Sequence, residues 1–161
     1  SQSNLKKEIK QRGVDPKRLI FGERLARAEY LARYRVADLF LDTHPYNAGT
    51  TASDALKMGL PILTMKGESY QARMGSSIVN AVNLPELITN SQEDYESLAI
   101  ELATNPDKLR VIKEKLAGNL TTAPLYDTKL FVKNIESAYT QMYERHHKGL
   151  EPDHIYISIP K

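Results

Sequence analysis

The chain has 161 residues, a length that fits one globular domain. A hydrophobic fraction of 41% and a net charge of +2 predict a packed core rather than disorder, and this charge is too small to indicate nucleic-acid or membrane binding. The sequence contains no cysteine, which excludes a disulfide framework and thiol chemistry and fits our expectation of a cytoplasmic protein. No apolar run is long enough to span a bilayer.

Short apolar runs alternate with helical patterns along the chain. A polar helix over 3–12 is followed by an apolar run at 19–21, which predicts a strand, and by a helix over 23–36. Three further strands are predicted at residues 39–41, 62–65 and 86–89. The first of these three has no polar alternation, which is typical of a strand buried on both faces of a parallel sheet. The fold class is therefore predicted to be α/β, a Rossmann-like parallel sheet flanked by helices.

Three more helices are predicted after the last strand, and each begins with a recognisable start signal. Ser91 precedes two early acids, Pro106 stands in the first turn of the second helix, and Asp127 can cap the third. In the third helix, apolar residues recur at helical spacing, and we assign them to the core rather than to a cofactor site: Phe131, Ile135, Ala138, Tyr139 and Met142.

A candidate binding motif stands between the strands at 39–41 and 62–65. Gly49 leaves room for an anion to reach the backbone amides of Thr50 and Thr51 at the start of a predicted helix, where the dipole is positive. Asp54, one turn further on, can accept hydrogen bonds from ribose hydroxyls. The set suggests a nucleoside diphosphate. The same residues also fit an ordinary helix start, with a threonine as cap and Asp54 complementing the dipole.

No metal or catalytic motif accompanies this segment. Four histidines lie outside any metal-binding pattern, so we predict no metal and no cofactor: His44, His146, His147 and His154. Nucleophile-elbow and Ser-His-Asp patterns are lacking as well. We therefore predict no catalytic residue in this chain.

The segment 37–64, ADLFLDTHPYNAGTTASDALKMGLPILT, closely resembles the C-terminal catalytic half of the O-GlcNAc transferase family, glycosyltransferase family 41, and especially its bacterial members. Further similar segments follow the family order and extend the resemblance over most of the chain: RLIF at 18–21, GES at 67–69, LPELI at 84–88, PLYDT at 124–128 and PDH at 152–154. The motifs are specific as a set rather than one by one.

This resemblance implies the C-terminal half of a GT-B fold that binds a UDP-sugar. Thr50 and Thr51 match threonines that contact the UDP diphosphate, Asp54 matches a ribose-binding aspartate, and Arg33 matches an arginine lining the nucleotide pocket. Tyr30 and Gly49 stand where the animal enzyme has histidines at the donor site. Lys66, Gly67 and Arg73 are candidates for contact with the donor or with the other half of the enzyme; a turn and surface charge also explain them.

The implied activity is transfer of a sugar from a UDP-GlcNAc-like donor to Ser or Thr hydroxyls of a protein acceptor, with inversion and without a metal. The catalytic groups are expected on an N-terminal catalytic half that this chain does not contain. Residues 1–161 would then be one domain cut from a longer protein that carries tetratricopeptide repeats, and would be inactive alone.

The resemblance further implies an additional central strand ahead of the first helix. Without it, we expect either that the strands at 19–21 and 39–41 pair directly or that a second copy supplies a strand, giving a swapped homodimer.

Two alternatives stay open. One is a relative that glucosylates asparagine, because the donor motif barely discriminates between acceptors. The other is a non-catalytic nucleotide-binding or interaction module. A flavodoxin-like signalling domain would be its structural analogue, but Asp42 has no neighbouring acidic pair at the strand ends.

Overall fold

The computed structural model describes residues 2–157, in which seven α-helices accompany a three-stranded sheet. The strands are β1 (Phe40–Leu41), β2 (Ile62–Met65) and β3 (Ile88–Thr89). The helices are α1 (Gln2–Gln11), α2 (Arg27–Arg33), α3 (Thr50–Lys57), α4 (Tyr70–Ala81), α5 (Gln92–Thr104), α6 (Pro106–Asn119) and α7 (Thr128–His147). Short 3-10 helices follow or link them at Pro16–Arg18, Tyr34–Val36, Pro85–Leu87 and Pro124–Tyr126.

All three strands are parallel, in the order β1-β2-β3. Phe40 pairs with Ile62, and Thr64 pairs with Ile88. The central strand β2 is almost fully buried because helices cover it, and this is why its sequence is a continuous apolar run. Helices α3 and α4 connect successive strands, as the pattern of a βαβ unit requires. The predicted α/β class, a parallel sheet flanked by helices, is confirmed.

One hydrophobic core joins the central strand to four helices. Its fully buried members come from α3, β2, α4, the segment before β3, α5 and α6: Leu56, Ile62, Val79, Leu84, Leu87, Leu102 and Leu116. The predicted helix starts are confirmed as well. The side chains of Ser91, Asn105 and Asp127 each accept a hydrogen bond from a backbone amide in the first turn of α5, α6 and α7.

The strand predicted at 19–21 is wrong. These residues pair with no strand in the described part of the chain, and Ile20 is 87% exposed. Direct pairing of this segment with the strand at 39–41 is therefore wrong too. The strand predicted at 39–41 is present as β1, but the prediction that it is buried on both faces is wrong. β1 lies at the edge of the sheet, and Leu41 is 54% exposed. The strand-swapped homodimer stays a prediction.

Two helices also differ from their predictions. The helix expected over 23–36 is reduced to α2 and a 3-10 turn, and the N-cap residue of α2, Ala26, has no side chain that can cap the helix. The apolar stripe of α7 was assigned to the core, yet α7 has no buried residue, and Phe131, Tyr139 and Met142 are more than half exposed. Helix α7 reaches the rest of the molecule mainly through the turn at Pro124–Tyr126. Within residues 2–157, no helix is both long and apolar enough to cross a membrane.

Candidate functional site

The loop after β1 is anchored by a buried carboxylate. Asp42 is only 6% exposed, and its Oδ1 accepts hydrogen bonds from the amides of Thr43 (2.9 Å) and Ala48 (2.8 Å). The hydroxyl of Thr64, on β2, donates to the other oxygen of Asp42 at 2.7 Å. Asp42 therefore fixes the shape of the loop by binding its two ends and β2. The Asp42 carboxylate and burial together also raise the pKa of Tyr95, burial being the larger cause.

Asn47 ties the same loop to α4. Its side-chain amide donates to the Thr43 carbonyl at 2.7 Å and accepts from the Gly75 amide at 3.3 Å, and its own backbone amide donates to the Gln71 carbonyl at 3.2 Å. Asn47 is 2% exposed, so these bonds are shielded from water. These hydrogen bonds therefore hold the loop that precedes α3 in one defined conformation.

The start of α3 is open. Gly49 is the N-cap residue and makes no side-chain cap, so the predicted threonine cap is wrong. Thr50 and Thr51 are the first two helical residues, and both are exposed. The first hydrogen bond of the helix runs from Ser53 to the Gly49 carbonyl at 3.0 Å, which leaves the preceding amides without an intrahelical acceptor. An added Cβ on Gly49 would meet only the Met74 Cγ at 3.8 Å, so packing alone does not demand glycine here.

Asp54 is paired with an arginine that the sequence analysis did not select. Arg27, the first residue of α2, places its two terminal nitrogens 2.8 Å from the two Asp54 oxygens, a bidentate ion pair. Asp54 is 8% exposed, whereas the Arg27 side chain is 64% exposed. The hydrogen bond to Asp54 raises the pKa of Arg27. The only sequence signal for Arg27 is the basic character of residues 24–35, and a solvated helix face is the preferred interpretation of that signal.

Tyr30 and Arg33 belong to the same cluster as Arg27. The guanidinium carbons of Arg27 and Arg33 each lie 5.7 Å from the centroid of the Tyr30 ring, within cation-π range. The hydroxyl of Tyr30 is 2.5 Å from that of Tyr34, and their rings meet edge to face. Burial, then the hydrogen bond to Tyr30, raises the pKa of Tyr34. Arg33 also donates to the Glu23 carbonyl at 2.9 Å, which holds its guanidinium over the ring.

The six predicted site residues thus form two groups. Gly49, Thr50 and Thr51 make the open helix start. Arg27 contacts both Asp54 and Tyr30, and Arg33 joins this second group through the Tyr30 ring. Because Asp54 lies four residues after Thr50 on α3, the two groups are about 6 Å apart along the helix axis. Within residues 2–157, no three His, Asp or Glu side chains come together to hold a metal ion.

A model of glycosyltransferase family 41 matches residues 1–135 of the chain. The chain belongs to glycosyltransferase family 41. It is 34% identical over 154 residues to a UDP-N-acetylglucosamine--peptide N-acetylglucosaminyltransferase of Caenorhabditis elegans, covering 96% of this chain. It is 36% identical over 146 residues to a probable enzyme of the same name from Arabidopsis thaliana, covering 90% of this chain. The chain spans 13% and 15% of the lengths of these relatives.

A solved structure supports the same membership. A mutant of the O-GlcNAc transferase of Thermobaculum terrenum aligns with 88% of this chain and 27% of its own, with a TM-score of 0.82 and 33% identity. The resemblance to the catalytic region of O-GlcNAc transferases is thereby confirmed for this family 41 chain. The roles of the six residues within it stay predictions.

Proposed function

We propose that this chain is the UDP-sugar-binding part of a protein O-glycosyltransferase, which holds a UDP-GlcNAc-like donor during sugar transfer to a Ser or Thr hydroxyl with inversion. The observation that carries the proposal is the open start of α3, which follows a loop fixed by Asp42 and Asn47. Membership of family 41 supports the reaction class.

The diphosphate would lie at the start of α3. Thr50 and Thr51 offer two hydroxyls beside amides that have no acceptor within the helix, and Gly49 leaves the approach free of side-chain atoms. These donors and the helix dipole would stabilise the charge that develops on UDP as the glycosidic bond to the sugar breaks. Their position is set in advance by the anchored loop, so little reorganisation is needed when the donor binds.

The ribose would meet Asp54. Both carboxylate oxygens already accept from Arg27, but a carboxylate has about four lone-pair sites and can accept further hydroxyl donors. Arg27 therefore orients the carboxylate for the ribose. Tyr30 and Arg33 stand next to this pair and would line the nucleotide pocket. The groups that activate the acceptor hydroxyl would come from the N-terminal catalytic half.

Calorimetric titration of the chain with UDP tests these roles. We compare the parent with Thr50→Ala, Asp54→Asn and the control Thr121→Ala, whose exposed hydroxyl lies outside both groups and donates to the Gly118 carbonyl. Loss of a hydrogen bond to a charged group costs about 1.5 to 3 kcal/mol, so the two site variants should bind roughly 10- to 100-fold more weakly while the control is unchanged.

UDP binding that survives both site substitutions would overturn the residue roles and favour a nucleotide-binding module that uses other residues. Circular dichroism of each variant separates a lost contact from a lost fold. Assays of the full-length protein with Ser, Thr and Asn acceptor peptides would then distinguish O-glycosylation from asparagine glucosylation.

A further inference from the structure

A polar groove of about 550 Å³ lies beside the carboxyl ends of β2 and β3. Lys66 directly follows β2, Asn90 directly follows β3, and α4 contributes Arg73, Ser77 and Asn80. None of the six predicted donor-site residues lines it, whereas Lys66 and Arg73 were further candidates for contact with the donor or with the other half of the enzyme. We call it the 66/73 groove.

The groove carries positive charge that the described part of the chain does not neutralise. The ion pairs within residues 2–157 leave both Lys66 and Arg73 without a carboxylate partner. Glu68 and Glu86 are the acids between which Arg73 lies in the sequence. Glu86 is held by Lys115 at 2.7 and 2.9 Å, and Glu68 is exposed and pairs with neither cation. Two cations on separate elements therefore face one groove.

Helix stability does not account for Arg73. It lies in the first turn of α4, where the helix dipole disfavours a cation, and no acid in that turn compensates it. Ser69 already caps α4 by accepting a hydrogen bond from the Ala72 amide at 3.2 Å. The positive end of the dipole and Arg73 thus add to the charge of Lys66 in the same place. Such an arrangement favours an oxyanion.

Exposure indicates the kind of ligand. Lys66, Arg73, Ser77, Asn80 and Asn90 are all exposed, so the groove is a surface feature rather than an enclosed cavity for a small molecule. Carboxamide and hydroxyl groups alongside the cations provide donors and acceptors for a peptide backbone.

We propose that the 66/73 groove binds an acidic peptide segment of the protein acceptor, through a carboxylate or phosphate group. Assigning the peptide to an acceptor rests on the proposed function, whereas binding of the anionic peptide does not.

Fluorescence anisotropy with labelled peptides tests the proposal. The probes are a glutamate-containing peptide, the same sequence with phosphoserine, and a neutral version with glutamine. The parent chain is compared with Lys66→Gln/Arg73→Gln and with a control of the same charge change, Lys10→Gln/Arg12→Gln, whose two side chains are exposed on or just after α1. We expect the groove variant to lose at least tenfold in affinity for one acidic peptide and the control to lose less than twofold. The acidic peptide that binds with the higher affinity shows whether the groove prefers a carboxylate or a phosphate group.

Three outcomes would overturn the proposal. Equal losses in both double variants would mean attraction to net charge alone, and equal affinity for the neutral peptide would exclude recognition of an anion. Loss of UDP affinity in the groove variant with unchanged peptide affinity would assign the groove to the donor. By contrast, peptide binding by a parent chain that does not bind UDP would overturn the proposed function, and with it the assignment to an acceptor, but would leave anionic-peptide binding by the groove standing.

Discussion

Gly75 lies where α4 comes closest to β2 and to the loop that leads to α3. A Cβ at this position would overlap both Asp42 Oδ2 and Thr64 Oγ1 and would lie 3.1 Å from the Thr64 Cβ. Thr64 is fully buried, Asp42 nearly so, and they are hydrogen-bonded to each other at 2.7 Å. Neither side chain can turn away without breaking that bond. We therefore expect Gly75→Ala to destabilise the fold and to displace the anchored loop.

The magnitude follows from three contributions. Overpacking of a dense interior costs about 1 to 3 kcal/mol. Loss of the hydrogen bond between the Thr64 hydroxyl and the Asp42 carboxylate costs about 1.5 to 3 kcal/mol. Alanine in place of glycine within a helix raises the free energy of unfolding by about 1 kcal/mol. The net loss in free energy of unfolding is about 3 kcal/mol, which corresponds to a fall in Tm of roughly 6 to 12 °C for a chain of this size.

Urea unfolding followed by circular dichroism measures this loss. Gly118→Ala is the matched control, because Gly118 lies on α6 and an added Cβ there would meet no atom within 4 Å. We expect the control to gain about 0.5 to 1 kcal/mol. If Gly75→Ala were as stable as the parent, or gained as the control does, the close approach of α4 to Asp42 and Thr64 would be refuted.

Three further predictions concern the core, a helix cap and the tyrosines. Leu56→Ala, at a fully buried position of α3, should lower the free energy of unfolding by about 2 to 5 kcal/mol. Ile20→Ala, at an exposed position, should change it by less than about 0.5 kcal/mol. Similar losses in the two variants would contradict the burial pattern. Asp127→Ala removes the cap of α7 and should cost about 0.5 to 2 kcal/mol in the same urea assay, and an unchanged stability would show that this cap is dispensable. Burial raises the pKa of both Tyr34 and Tyr126, so the neutral phenol is favoured in the folded state. Their contribution to stability is complete below about pH 10, the ordinary tyrosine value, and is lost as the pH rises toward the folded pKa. Absorbance at 295 nm should show these two tyrosines ionising after the exposed ones, with the delay reduced in Tyr34→Phe; a single common transition for all nine tyrosines would contradict this.

The features that the sequence by itself determined are those with local causes. The buried strand β2 was predictable because an unbroken apolar run has to be covered on both faces. The starts of α5 and α7 were predictable because Ser91 and Asp127 accept hydrogen bonds from amides in the first turn, and the start of α6 was predictable because proline fits the first helical position. The motif around Gly49, Thr50 and Thr51 indicated family 41 because it is contiguous.

Only the tertiary structure decided which groups meet across the chain. Arg27 binds Asp54, 27 positions away in the sequence, and Thr64 binds Asp42, 22 positions away. The spacing of residues within one helix or strand does not predict partners at such separations. Burial of individual elements was decided in the same way. The apolar residues of α7 and of the segment at 19–21 have the composition of a core, but no other part of the described chain buries them fully. An apolar pattern shows what a residue would gain by burial, whereas burial itself requires a neighbouring element, and the fold supplies that neighbour for β2 and not for α7.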